Sequence, residues 1–106
     1  MRYLLVAFFI TVTAGCGVTH TQQVQGKNLA LYLKKADAHQ VFLVTSLDGF
    51  KPQKAIPMDG QWVVFLPSNK IFRYYYVLDG KIFLPPCRMK ENDDFGSENC
   101  IFDPDE

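Results

Sequence analysis

A chain of 106 residues with eleven basic and eleven acidic side chains has no formal charge at pH 7, so it offers no basic stripe to a phosphate backbone, and nucleic acid is excluded as a partner. The length fits one small domain, and two histidines with three cysteines leave little for metal or acid–base chemistry. Seven of the eleven acidic residues lie from Glu91 to Glu106, a bias that reads as a solvated face, because Glu91, Asp93 and Asp94 lack the spacing of a calcium loop.

The chain opens MRYLLVAFFITVTAGCG: one positive charge at Arg2, an apolar run from Tyr3 to Val12, then small residues up to Cys16. This is the pattern of a secretory signal peptide, residues 1–15. Its apolar core is shorter than the roughly 20 residues a bilayer-spanning helix requires. Thr13-Ala14-Gly15-Cys16 resembles the bacterial lipoprotein cleavage box, which implies cleavage before Cys16 and acylation of its thiol, palmitate included. The competing readings are an ordinary signal peptide with an incidental Cys16 and an uncleaved N-terminal anchor. Gly17, where an Asp would retain such a protein at the inner membrane, points to the outer membrane of a bacterial cell envelope.

Removing residues 1–15, with Arg2 as their one charge, leaves the remainder at −1. Cys87 and Cys100 then stand as the two unmodified cysteines of an exported domain, and an oxidising compartment favours their pairing. A metal site is the weaker alternative, since two cysteines this far apart without a neighbouring His make a poor ligand set. No cofactor is expected.

Residues 16–28 are polar and aperiodic after the cysteine, and read as a flexible tether that holds His20 in solvent. From Leu29 to the C-terminus, short β-rich runs replace any helical period: LALYLKK, QVFLVTS, QWVVFLP, KIFRYYYVL, KIFLP and CIF. Asp-Gly recurs at Asp48-Gly49, Asp59-Gly60 and Asp79-Gly80, and Pro-rich breaks fall between runs. Such spacing predicts an all-β antiparallel sandwich over residues 29–106, held by one disulfide. Alternation sends Phe72, Tyr74, Tyr76 and Leu78 to the core and Ile71, Arg73, Tyr75 and Val77 to the other face. The matching inward sets are Trp62, Val64 and Leu66, and Val41, Leu43 and Thr45. An outward face carrying Ile71, Tyr75 and Val77 is apolar enough to predict a contact surface.

In order along the chain, VFLVTSLDGFKPQ, MDGQWVVFLP, RYYYVLDGKIFLPP and DDFGSENCIF resemble the glycogen-recognition modules of carbohydrate-binding family 48, found in the β subunit of AMP-activated kinase and at the N-terminus of isoamylase. The resemblance spans about residues 40–102 and implies an early-set immunoglobulin-like sandwich. It also implies an α-glucan surface. The family's Trp of the N-G-W loop falls at Phe50, a Lys of the tyrosine strand at Tyr75, and the Trp after Asp-Gly at Ile82 or, shifted by one, Phe83. Its last hydrophobic, hydroxyl and Asn positions fall at Phe95, Ser97 and Asn99. Phe50, Phe95, Ser97 and Asn99 keep the family's chemical type, whereas Tyr75 and Ile82 depart from it.

A missing Trp at Ile82 removes a stacking plate, and such an aromatic contact contributes about 0.5–1.5 kcal/mol beyond the area it buries. Catalysis would require a nucleophile with its base or a carboxylate pair, and the sequence supplies only His20 in the tether and His39 at a strand start, so no enzymatic activity is expected. Two functions follow. The first is an interaction module for an envelope protein partner, presenting Ile71, Tyr75 and Val77. The second is a lipid-anchored binder of maltodextrin, starch or another glycogen-like glucan, using Phe50, Tyr75, Phe83, Phe95, Ser97 and Asn99.

Overall fold

The computed structural model describes residues 18–92 and 96–105; the leader, the lipidation candidate Cys16 and the glucan candidate Phe95 lie outside them. Ten strands are present among the described residues: β1 (Thr19–Gln25), β2 (Asn28–Lys34), β3 (Val41–Thr45), β4 (Pro52–Lys54), β5 (Ile56–Met58), β6 (Gln61–Pro67), β7 (Phe72–Leu78), β8 (Lys81–Phe83), β9 (Lys90–Asn92) and β10 (Glu98–Phe102). They form two antiparallel sheets packed as an immunoglobulin-like sandwich. One has the order β1-β2-β6-β5; the other runs β4-β3-β7-β10-β9, with β8 also on β7. β7 is the hub of the second sheet. Its one edge takes β3, and its other edge takes β10 along Phe72–Tyr74 and β8 along Tyr76–Leu78.

The alternation expected for the core is what the structure has. Phe72, Tyr74, Tyr76 and Leu78 are buried, as are Val41, Leu43, Thr45, Val64 and Leu66, while Trp62 is half-buried against the same cluster. Leu29, Leu31 and Leu33 of β2 complete it from the other sheet. Each aliphatic side chain so enclosed contributes about 1.5–3 kcal/mol. The aromatic members form a column: Phe102 and Phe72 lie 5.3 Å apart, Phe72 and Tyr74 5.7 Å, and Tyr74 and Tyr76 6.4 Å edge to face.

Two buried valines break the simple inside–outside rule. Val44 and Val63 lie on outer faces, yet both are closed off from water. Val44 is flanked across the ladder by Pro52 and Tyr75, and Val63 by Tyr32 and Ile56, so each is covered by its neighbours on the sheet surface.

The tether reading of residues 16–28 is corrected from Thr19 onward. Thr19–Gln25 pairs with the whole of β2, from Thr19 with Lys34 to Gln25 with Asn28, through a two-residue turn in which Gly26 takes φ 60°. That turn is fastened from outside, because the Ser68 hydroxyl donates to the Gly26 carbonyl at 2.7 Å and the Ser68 N–H to Lys27 at 2.9 Å. The sandwich therefore begins at Thr19, ten residues before the expected Leu29. β1 lacks an apolar alternation because it is an edge strand with only a narrow strip turned to the core.

The Asp-Gly pairs divide into two kinds of turn. Asp59-Gly60 and Asp79-Gly80 each have two successive positive φ values, 51° and 77°, and 50° and 84°, which is the type I′ geometry a tight hairpin favours. Asp48-Gly49 instead ends a short 3₁₀ turn over Ser46–Asp48, with Gly49 at φ 75°. Asp79 has a second task. Its carboxylate accepts from the backbone N–H groups of His39 and Gln40 at 3.0 and 2.7 Å, tying the β7–β8 hairpin to the chain entering β3. We expect Asp79→Ala to lower the unfolding free energy by about 1–3 kcal/mol, since two N–H donors lose their charged acceptor; urea unfolding checks this.

Cys87 and Cys100 are joined, with Cα atoms 6.1 Å apart. The bond pins the segment after β8 to β10, directly opposite Tyr74. A closed loop of sequence separation 13 restricts the unfolded chain by about 3 kcal/mol. Reduction is accordingly expected to lower the melting temperature by about 10 °C or more, read by calorimetry with and without reductant.

Candidate functional site

The outer face of the six-stranded sheet carries the apolar surface. Across three strands, Phe42, Val77 and Ile82 stand in one row, and Val44 and Tyr75 in the next. Phe42, Tyr75 and Val77 are half-buried, and Ile82 is 72% exposed. Ile71, 61% exposed, shares this face by alternation but lies just before β7, beyond Arg73. Arg73 pairs across the ladder with Ile101 and is ion-paired with Glu91, which sets a polar boundary between Ile71 and the main patch.

The residues proposed for glucan are only partly brought together. Extending the β7–β10 register by one step places Asn99 level with Tyr75, on the same face. Asn99 is only 9% exposed, too enclosed to present an amide freely to a sugar hydroxyl. Phe83 pairs with Tyr76 rather than Tyr75; it turns inward, packs against the core and lies under the Lys35 ammonium at 5.9 Å. Tyr75 and Phe83 therefore do not form one platform. Ser97 precedes β10 directly and is exposed.

Phe50 is unusual in a different way. It sits two residues before Pro52, which pairs with Val44 beside Tyr75, and its backbone is left-handed at φ 66° while its side chain is 44% exposed. A non-glycine residue in that region costs about 1–2 kcal/mol, and an exposed ring returns little of it. Phe50→Gly is thus expected to leave the melting temperature unchanged or slightly raised while removing the ring, a combination that thermal unfolding can read.

A second site lies at the lateral opening between the sheets, where β1 overlies β10. A cleft of about 400 Å³ there is lined by His20, Tyr74, Pro86, Arg88, Ile101 and Asp103, among others. His20 is not the solvent-exposed, inert residue that the sequence predicts. Its Nε2 lies 2.9 Å from the Tyr76 hydroxyl, and its ring meets Tyr76 edge to face at 5.4 Å and Tyr74 at 5.9 Å. Pro86 borders the same cleft beside the ring. The imidazole and the Tyr76 hydroxyl share one hydrogen bond, whose direction follows the imidazole tautomer.

Burial dominates this imidazole and pushes its pKa down to about 4, with the Pro86 backbone opposing the shift. Burial likewise pushes Tyr74 up to about 12 and Tyr76 higher still.

The same shift makes stability depend on pH. The unfolded chain binds a proton at His20 near pH 6.5, and the folded chain only near pH 4. Between those values the unfolded state carries more protons, so stability is complete above about pH 6.5 and falls by up to about 3 kcal/mol as the pH drops toward 4. His20→Gln should flatten this part of the profile relative to the unsubstituted chain, measured as the urea midpoint from pH 7.5 to 4.

Among the described residues no group of three or more His, Cys, Asp or Glu side chains is placed to hold a metal. No family model matches this chain, and no curated protein matches it.

Proposed function

We propose that this chain is a non-catalytic lipoprotein of the bacterial envelope, anchored through Cys16, whose sandwich serves as a protein-interaction module. The observation that carries the reading is the row of Phe42, Val77 and Ile82 with Tyr75 and Val44 beside it. A flat patch of half-exposed aliphatic and aromatic side chains suits the apolar centre of a protein interface, where Tyr is favoured and charge is depleted. Its polar boundary, the Arg73–Glu91 pair, resembles the rim such interfaces have.

An α-glucan is the second reading. It is favoured by the strained, exposed Phe50, which precedes β4 two strands from Tyr75, since a pyranose stacks its CH face on an aromatic plane. It is opposed by the enclosed Asn99 and the inward Phe83, which leave Tyr75 among aliphatic neighbours with few polar groups to orient a sugar.

The soluble domain beginning at Val18 separates the two. On the interaction reading it captures one envelope protein, and Ile82→Glu or Tyr75→Ala abolishes capture without moving the melting temperature. Retardation in a native gel containing amylopectin, lost in Phe50→Ala and Tyr75→Ala and coupled with no specific protein capture, would replace that reading with the glucan one.

A further inference from the structure

We infer that the domain sits directly on the bilayer that holds its lipid, seated by the end of the sandwich where β1 begins. The inference rests on the anchoring at Cys16 proposed above and adds an orientation to it. Val18 packs against the core cluster, and Thr19 is already paired with Lys34. Whatever conformation residues 16 and 17 adopt, two peptide units reach at most about 7 Å. The acylated cysteine is thus held at the rim of the folded domain, with no spacer between them.

Strand directions identify what else lies at that rim. β1 starts beside the end of β2, so the seated end contains the β2–β3 connection, the Asp59-Gly60 turn and the Asp79-Gly80 hairpin with Lys81 and Ile82. Between the connection and the hairpin is a cleft of about 480 Å³ lined by Lys35, Asp37, Lys81, Ile82 and Phe83, among others. The ammonium groups of Lys35 and Lys81, on long stems beside this cleft, match the level of a bilayer where phosphates meet acyl chains.

Charge at this end is close to balanced. Lys34, Lys35, Lys54 and Lys81 face Asp37, Asp59 and Asp79, with His39 nearby. Lys35 is bonded to Asp37 at 2.7 Å, and the Asp79 carboxylate is taken up by backbone N–H groups. Attraction to anionic lipid therefore supplies little, and the short covalent connection sets the seating. The opposite end, with Gly26-Lys27, the Phe50 turn and the Ser68–Lys70 loop, stands about one strand length away, roughly 20–25 Å.

The chain's single tryptophan reports on this. Trp62 pairs with Leu33, one residue inside the seated end. The mature, acylated chain is placed in phosphatidylcholine vesicles carrying a spin-labelled headgroup lipid, and vesicle binding is read separately by flotation. Seating predicts a several-fold loss of Trp62 emission, largely relieved when a twelve-residue Gly-Ser linker, with a reach of about 20 Å, is inserted between Gly17 and Val18. A tryptophan at the far end, Asn69→Trp combined with Trp62→Phe, should be spared. Chain that floats with the vesicles but keeps its Trp62 emission, or whose quenching is unaffected by the linker, overturns the seating while leaving the anchor intact. Failure to float overturns the anchor itself, and the seating with it. The two linker arms use the native tryptophan, so the test does not depend on the double variant folding.

Discussion

Tyr76 is wholly enclosed by the sandwich, yet it carries a hydroxyl, and a buried hydroxyl without a partner costs about 1–3 kcal/mol. Much of this structure can be understood from how that need is met. β1 meets it by delivering His20 Nε2 to within 2.9 Å, where the ring also lies against Tyr74 and borders a cleft shared with Pro86. That bond joins the first strand to the central strand of the opposite sheet, beside the segment entering the disulfide. It fastens β1 across the lateral opening of the sandwich, beside the cleft that remains there.

The legibility of the sequence follows burial closely. Strands with two residues or more in the core, such as Phe72–Leu78 and Val41–Thr45, show their alternation without help from context, and their inward faces are as expected. The four strands that escape sequence reading, β1, β4, β5 and β9, are short or lie at sheet edges, where polar side chains satisfy the ladder as well as apolar ones. Pro52 and Pro57 further disguise β4 and β5, since proline is tolerated on an edge and read as a break. His20 was hidden for a related reason: a single His among Thr and Gln has no period, and only its contact with Tyr76, 56 positions later, gives it meaning. The Gly26-Lys27 turn was the one local signal that could have revealed the strand before it.

The candidate surface was half legible. Tyr75 and Val77 belong together on the outer face as alternation requires, but Ile82 joins them only through the hairpin register, and Phe42 only through pairing with Val77. Motif spacing aligns Phe83 and Asn99 with sugar contacts in the family resembled, while a shift of one residue along β8 decides whether a side chain reaches the solvent or the core. Phe83 falls on the core side and Ile82 on the outer side. The aromatic density that suggests a carbohydrate platform in the sequence is therefore spent largely on the interior column of Phe72, Tyr74, Tyr76 and Phe102, which is why the exposed face is more aliphatic than the composition suggests.

The reach from His20 to Tyr76 also imposes an order in time. A chain emerging N-terminus first presents β1 early, but the Tyr76 hydroxyl that His20 bonds follows 56 residues later, with Pro86 and Cys87 beyond it, so the closing contact is long-range in sequence. Long-range closure of this kind comes late and slowly. The hairpin of β1 and β2 must wait, with Leu29, Leu31 and Leu33 only partly covered, until the opposite sheet is complete. During that interval the apolar strip of β2 is the part of the N-terminal hairpin with most to lose to water.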